Sequence, residues 1–151
     1  MKSITLIFPH QLFEIQPALA FEREVWVIED FLFFRKLQFH AHKLVLHRAS
    51  MKAYEKTLIE KGYSVVYIES KDSMSRTDLP QLFKKEKITN IHYVELVDTW
   101  LEKDMQNSAC VCHVYDTPMF MTNVSEYTAF FATQAPRYFD GKGRDSCGWI
   151  I

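Results

Sequence analysis

Short apolar runs divide the chain at regular intervals. They read ITLIF at residues 4–8, EVWVI at 24–28, YSVVYIE at 63–69, IHYVEL at 91–96 and CHVY at 112–115. Strands with apolar residues at consecutive positions are buried on both faces, which is typical of parallel sheets. Helical patterns separate most of the runs, so the order predicts right-handed βαβ units. We therefore predict an α/β fold, a three-layer sandwich around a five-stranded, mostly parallel sheet.

The longest helical pattern runs from about residue 41 to residue 61. Its apolar and small residues recur at three- and four-residue spacing, which predicts a face that packs on the core. That face consists of Leu46, Ala49, Ser50, Ala53, Tyr54 and Leu58. Gly62 follows the helix and is the expected C′ residue, because glycine enters the left-handed region without a steric cost.

Three shorter helices are predicted mainly from their end signals. Asp78 is expected as an N-cap with Pro80 in the first turn. Thr99-x-x-Glu102 has the pattern of a capping box, and a third helix is predicted at residues 123–131. Three of the four glycines lie within residues 141–148. We expect residues 134–151 to be a truncated or flexible tail, in which Cys147 is free.

The composition is that of a soluble domain with an excess of aromatic residues. The 151 residues are 48% apolar, 25% charged and 15% aromatic, which fits one compact domain. The net charge of -1 gives no long-range attraction to nucleic acid or to anionic membranes. No apolar run approaches the ~18 residues that a membrane span needs. With three cysteines and no signal-peptide pattern, a reducing cytoplasm is expected.

Residues 31–58 combine side chains that neither a core nor a solvent face usually combines. They include Phe31, Phe33, Phe34, Phe39, His40, His42, His47, Arg48, Lys52 and Lys56. This stretch directly follows a predicted buried strand, and ligands of open α/β sheets bind outside the carboxyl ends of strands. Because Phe33 and Phe34 are adjacent, at least one is expected to point away from the sheet interior. An exposed aromatic ring beside Glu29 would form a ligand wall.

Several other kinds of site are disfavoured. Gly62 is the only glycine before residue 141, so no glycine-rich phosphate loop follows the first two strands. His40 and His42 lie two residues apart, on different sides of a helix, which does not suit a metal pair. Cys110 and Cys112 alternate onto one face of a strand, as small core residues.

A stripe of cations repeats at four-residue steps along the long helix, at Arg48, Lys52 and Lys56. Like charges at this spacing destabilise a helix slightly unless solvent or an anion compensates. We expect a solvated face on which Glu60 pairs with Lys56. A phosphate-facing strip is the alternative.

Three segments carry a resemblance to a known family. They are LIFPHQLF at residues 6–13, FFRKLQFHAHKLVLHRASMKAY at 33–54 and YDTPMFMT at 115–122. In this order they resemble the N-terminal domain of the deoxyribodipyrimidine photolyase-related family. These are the bacterial photolyases and cryptochromes that carry an iron–sulfur cluster. The resemblance covers roughly residues 1–122.

The resemblance implies a Rossmann-like domain that packs on a helical FAD-binding domain, in light-dependent DNA repair or blue-light sensing. The N-terminal domain of such proteins can hold an antenna chromophore, 6,7-dimethyl-8-ribityllumazine, which passes excitation energy to FAD. By this resemblance the cofactor-binding residues here are Pro9, His10, Gln11, Ile28, Glu29, Phe34, His47 and Met51. Some relatives carry Asp-Gln where this chain has His10-Gln11, so a titratable ring replaces an anionic acceptor.

The resemblance also bounds what the chain is expected to do alone. Residues 1–122 would form the antenna-type α/β domain, and residues 123–151 a helix and the tail. A four-iron cluster takes four thiolates and the chain has three cysteines, so FAD and the cluster are expected in a separate helical domain. The chain alone is expected to be non-catalytic and to reach DNA only through the full-length protein. A bared domain interface would promote self-association.

Two other functions are left open by the sequence. One is a small-molecule or nucleotide-binding α/β enzyme that uses the same strand-end crevice. The other is a protein-interaction module built on exposed aromatic residues. For the chromophore site, we expect Glu29→Ala or Gln11→Ala to weaken ligand binding with little loss of stability, because both residues follow strands and are taken to lie outside the core.

Overall fold

The computed structural model describes residues 2–36, 39–70, 78–122 and 124–133. The strands are β1 (Lys2–Ile7), β2 (Glu24–Ile28), β3 (Val65–Ile68), β4 (Ile88–Val94) and β5 (Val111–Tyr115). The helices are α1 (Ala41–Glu60), α2 (Asp78–Lys85), α3 (Thr99–Gln106) and α4 (Val124–Ala132). A π-helical turn at Leu32–Lys36 follows β2. All five predicted strands and all four predicted helices are present.

The five strands form one sheet in the order β3-β2-β1-β4-β5. Every neighbouring pair is parallel, so the α/β prediction is confirmed and the sheet is parallel throughout. The chain adds β2 and β3 on one side of β1 and then returns to add β4 and β5 on the other. The strand order therefore reverses at β1 and β4, and ligands of open α/β sheets commonly bind at such a point.

The core lies on both faces of the sheet. In β1, Ile4 and Leu6 belong to a cluster that includes Phe83 of α2 and Leu101 of α3. Ile7 belongs to a second cluster on the opposite face, with Met51 and Leu58 of α1. Consecutive apolar residues of a strand thus pack against helices on opposite faces of the sheet, which confirms the three-layer sandwich.

Helix α1 confirms one prediction and corrects another. Gly62 has φ +89°, in the left-handed region expected of a C′ glycine. The predicted core face is only partly right: Leu58 is buried and Tyr54 packs against the core. Leu46 is 66% exposed, however, and Ala49, Ser50 and Ala53 are exposed as well. The residues of α1 that are buried are Met51 and Leu58. Because small and apolar side chains occur on most sides of this helix, contact with the sheet decides which of them are covered.

Two local predictions concern the second half of the sheet. The predicted capping box that begins at Thr99 is wrong: the N-cap of α3 is Asp98, whose carboxylate accepts hydrogen bonds from the backbone N–H groups of Trp100 and Leu101. Cys110 and Cys112 both pack on the same core cluster, as predicted, and both are free thiols.

Residues up to Pro118 form one compact unit, and a second unit begins at Met119, with α4 as its described helix. The boundary at residue 122 stays a prediction. The expected tail at residues 134–151, with its free Cys147, lies outside the described residues. Among the described helices, none is both long and apolar enough to cross a membrane.

Candidate functional site

Glu29 lies directly after β2 and is fully buried. Its Oε1 accepts hydrogen bonds from Nε of Arg48 at 2.6 Å and from the Tyr67 hydroxyl at 2.7 Å. Its Oε2 accepts from Nη2 of Arg48 at 2.5 Å and from the backbone N–H of Ser70 at 2.9 Å. A carboxylate has about four acceptor positions. Donors from Arg48, Tyr67 and Ser70 occupy all four positions, so the Glu29 carboxylate is an anchor that fixes the positions of these three residues.

The charge state of Glu29 follows from the same contacts. Burial alone would raise the pKa of Glu29, but hydrogen bonds from Arg48, Ser70 and Tyr67 outweigh it and hold the pKa below its ordinary value. The bond to Glu29 in turn raises the pKa of the Arg48 guanidinium. Both groups are therefore charged at neutral pH.

Ser70 connects a second arginine to this anchor. Arg35 of the π-helical turn donates from Nε to the Ser70 hydroxyl at 3.0 Å and from Nη2 to the Ser70 carbonyl at 3.0 Å. Ser70 follows β3, is 6% exposed and donates its own N–H to Glu29. We call Glu29 and Ser70 the anchor pair, because these two buried residues hold both guanidinium groups at the carboxyl ends of β2 and β3.

A cleft of about 410 Å³ opens between the π-helical turn and α1, and we call it the β2 cleft. It is lined by Phe34, Arg35, Leu44, Val45, Arg48 and Ala49. Its walls are apolar and its polar groups are the two guanidinium groups. Small-molecule sites have volumes of roughly 300–1,000 Å³, mostly apolar walls and a few polar groups that fix orientation. The β2 cleft has these properties.

Histidine and phenylalanine rings lie beside the β2 cleft. The His47 ring meets the Phe34 ring edge-on, with centroids 6.5 Å apart, and the Arg48 guanidinium lies 5.8 Å from the Phe34 centroid. Burial and the nearby Lys43 ammonium lower the pKa of His47. His47 is therefore mainly neutral at pH 7, and its ring nitrogens include one donor and one acceptor.

Gln11 follows the end of β1 and lies beside the end of β4, where the strand order reverses. The Gln11 side chain is 1% exposed, and its Nε2 donates to the carbonyl of Val94 at 2.9 Å and to that of Glu95 at 3.2 Å. These bonds tie the end of β1 to the end of β4. Gln11 is thus a structural link between two strands.

His10 precedes this link and packs between aromatic rings. Its centroid lies 6.3 Å from that of Phe8 and 5.2 Å from that of Phe33. Burial lowers the pKa of His10, although the Asp98 carboxylate opposes the shift. Within the described part of the chain, both ring nitrogens of His10 and Oε1 of Gln11 are buried without a hydrogen-bond partner. Burying a polar group without a partner costs free energy, which an ordered water molecule or a ligand would offset.

The structure brings part of the predicted site together. Phe34 lines the β2 cleft, His47 contacts Phe34, and Glu29 holds Arg48 at the rim. Pro9 is buried after β1, Met51 is fully buried in the α1 cluster, and Ile28 is buried on the opposite face of the sheet. The expectation that Glu29 and Gln11 lie outside the core is wrong, because both side chains are buried and hydrogen-bonded.

Sequence reasoning missed Arg35, Tyr67 and Ser70. Arg35 lies in the turn that follows β2, Tyr67 lies near the end of β3, and Ser70 follows β3. A signal was available in the polar residues after each strand, since the carboxyl ends of parallel strands meet at one edge of the sheet.

The cation stripe of α1 is compensated by carboxylates: Lys56 pairs with Glu60 at 3.8 Å, as predicted. Within the stripe, Arg48 differs from the two lysines, because its carboxylate partner is the buried Glu29 at the end of β2.

Asp30 lines a cavity that is smaller than the β2 cleft and lies on the opposite face of the sheet. The cavity has about 30 Å³ and is lined largely by apolar side chains, among them Ile28, Leu101 and Met105. Burial there raises the pKa of Asp30 to about 6, although its Oδ1 accepts a hydrogen bond from the backbone N–H of Leu32 at 2.8 Å. This carboxylate is half-protonated near pH 6 and is separate from the Glu29 anchor.

Comparison with known proteins adds the family. The profile of the deoxyribodipyrimidine photo-lyase-related proteins matches residues 5–139. The chain is also 34% identical over 144 residues to the uncharacterized protein R852 of Acanthamoeba polyphaga mimivirus, covering 85% of this chain and 72% of that protein. The family motifs, the parallel sheet and the profile match agree. The chain belongs to the deoxyribodipyrimidine photolyase-related family.

Proposed function

We propose that this chain holds an antenna chromophore of the ribityllumazine type in the β2 cleft. With a helical FAD-binding partner domain, it would serve light-dependent DNA repair or blue-light sensing. The observation that carries the proposal is a cleft of about 410 Å³, with an aromatic wall, at the carboxyl end of β2. It supports a flat ligand in a member of a photolyase-related family.

The residues of the cleft suit such a chromophore. Phe34, Leu44 and Val45 supply apolar walls that exclude water from a flat ring. The guanidinium of Arg48, oriented by Glu29, supplies donors for ring carbonyl groups or ribityl hydroxyl groups. An antenna chromophore, when bound, absorbs light and passes the excitation energy to FAD. FAD and the iron–sulfur cluster are assigned by this proposal to the partner domain, as is contact with DNA.

Titration of the protein with 6,7-dimethyl-8-ribityllumazine tests the proposal. We expect saturable binding, measured by equilibrium dialysis and by the polarisation of lumazine fluorescence. Val45→Asp should lower the affinity about tenfold or more, because it places a charge on an apolar wall of the cleft. The matched control is Leu46→Asp: Leu46 is also 66% exposed on α1 but does not line the cleft. Absence of saturable binding, or equal losses in the two variants, would contradict this site.

Helix α4 supports a second part of the proposal, the interaction with a partner. Three of its aromatic side chains are exposed, Tyr127 and Phe130 by 59% each and Phe131 by 54%. Exposed apolar patches of this kind mark protein interfaces. We propose that α4 docks a partner domain in the complete protein and a second copy of this chain when that domain is absent.

Self-association should therefore depend on α4. We expect the wild-type protein to form a dimer that dissociates on dilution. Phe130→Ser should weaken the dimer about tenfold, since an aromatic side chain contributes roughly 1.5–3 kcal/mol when buried. Ile59→Ser serves as the control, because Ile59 is 54% exposed on α1. Sedimentation velocity across a concentration series gives the dissociation constants, and a strictly monomeric wild type would refute the interface.

A further inference from the structure

We propose that His92 and His113 form a site for one divalent transition-metal ion of the nickel, copper and zinc group, held by two imidazole nitrogens. His92 belongs to β4 and His113 to β5, the two strands on the side of β1 away from β2. The two histidines therefore lie in a different part of the sheet from the β2 cleft, and a metal ion there does not depend on the proposed chromophore.

The parallel pairing of β4 with β5 brings the two imidazole rings together. His92 and His113 are register partners, so their side chains leave the sheet on the same face. The ring planes differ by 8° and the ring centroids are 4.3 Å apart. Two nitrogens that bind one ion at 2.0–2.1 Å lie about 3 Å from each other. His113 is exposed, so a rotation of its ring toward His92 closes this difference while the strands stay in place.

The Tyr115 hydroxyl orients the His92 ring. It lies 3.0 Å from Nδ1 of His92, and the two atoms share a hydrogen bond. Tyr115 follows His113 by two residues on β5, which places all three side chains on one face. With Nδ1 held by the hydroxyl, Nε2 of His92 is the nitrogen that can bind an ion. Histidines that bind metals ordinarily hold their other nitrogen in such a hydrogen bond.

The protonation state of His92 suits metal binding. Burial lowers the pKa of His92 to about 4, and the Arg23 guanidinium and the His113 ring add to this shift, whereas Glu22 opposes it. His92 is therefore neutral at pH 7, the form in which imidazole binds metals. Arg23 and Glu22 carry opposite charges, so the charge close to the pair is balanced.

The ligand set defines the class of ion. Imidazole suits nickel, copper and zinc, whereas magnesium and calcium require oxygen ligands. Among the described residues, no group of three or more His, Cys, Asp or Glu side chains could hold a metal ion. The site therefore has two protein ligands, with water at the remaining positions. The nearby Cys112 is not a third ligand, because it packs on the core cluster of the opposite face.

Titration of the tag-free protein with nickel chloride, followed by isothermal titration calorimetry, measures the affinity. We expect one saturable site with a dissociation constant of about 1–200 μM, since two ligands supply roughly half the free energy of a four-ligand zinc site. Ni²⁺ is paramagnetic, so substoichiometric amounts should broaden the imidazole proton signals of His92 and His113 before those of the other histidines. This second measurement identifies the site without any substitution.

His113→Gln should lower the affinity for Ni²⁺ about tenfold or more, because it removes one of the two ligands at an exposed position. The matched control is His42→Gln. His42 is also exposed and also contacts a second histidine, His40, with ring centroids 4.7 Å apart. Its replacement should change the affinity by less than about twofold, because it is remote from the site. Tyr115→Phe should weaken binding about tenfold, through the loss of the bond that orients His92.

Thermal unfolding verifies that the three variants are folded. The inference is overturned if Ni²⁺ shows no saturable binding below about 1 mM. It is also overturned if signals of other histidines broaden first, or if His113→Gln and His42→Gln have equal effects. Each of these outcomes leaves the chromophore proposal standing, since that proposal is tested by lumazine binding.

Discussion

Glu29→Ala should lower the free energy of unfolding by about 3 kcal/mol. The change removes the acceptor of four hydrogen bonds and leaves the buried Ser70 N–H and the half-buried Tyr67 hydroxyl without this partner. For a protein of this size the melting temperature should fall by roughly 6–12 °C. Urea-induced unfolding followed by circular dichroism measures the change. This result would replace the sequence-based expectation of little loss of stability.

Glu60→Ala is the control for Glu29→Ala. Glu60 also pairs with a cation of α1, Lys56 at 3.8 Å, but its side chain is 64% exposed, so its removal should cost less than about 0.5 kcal/mol. A double-mutant cycle with Arg48→Ala separates the ion pair from the other bonds. A loss of less than about 1 kcal/mol for Glu29→Ala would mean that the carboxylate is not the anchor of this site.

Asp30→Asn should raise the free energy of unfolding at pH 7 by about 2 to 3 kcal/mol. Burial raises the pKa of Asp30 from 3.8 to about 6, so the folded state holds this proton more tightly than the unfolded state does. Stability from this group is therefore complete below pH 4 and is lost as the pH rises toward 6. Asparagine is uncharged throughout and keeps the Oδ1 that accepts from Leu32. The gain should vanish below pH 4.

Asp116→Asn is the control for Asp30→Asn, because it makes the same chemical change at an exposed carboxylate after β5. It should change the stability by less than about 0.5 kcal/mol at every pH. Thermal unfolding between pH 3.5 and pH 8 gives both profiles. A destabilised Asp30→Asn variant at pH 7, or a gain that does not depend on pH, would contradict the assigned pKa.

The fold was predictable where local signals were strong. β2 begins at Glu24 and ends at Ile28, as predicted. Its four consecutive apolar residues, 25–28, are the pattern of a strand buried on both faces. Gly62 ends α1 as predicted, since the left-handed region requires glycine. The face of α1 was not predictable in the same way. Leu46 looks like a core residue in the helical pattern and is 66% exposed.

The sequence predicts a site at the ends of the first strands, and the β2 cleft lies beside the end of β2, but the roles of its residues differ from those expected. The sequence placed it at the ends of the first strands and included Phe34, His47 and Glu29. It assigned Glu29 to a ligand, whereas the carboxylate is saturated by Arg48, Tyr67 and Ser70. Ser70 lies 41 residues after Glu29 in the chain. No spacing rule connects residues that meet only because β2 and β3 are neighbours in the sheet.

The sequence by itself determined the α/β class, the succession of strands and helices along the chain, and the photolyase-related motifs. These depend on local hydrophobicity, chain reversal and helix ends, which short segments encode. Only the tertiary structure decided which face of α1 is covered, that Glu29 and Gln11 are buried, and that Arg35 and Arg48 line one cleft. The physical reason is that burial and hydrogen-bond saturation depend on which strand ends become neighbours, and the parallel pairing of β2 with β3 and of β1 with β4 sets that arrangement.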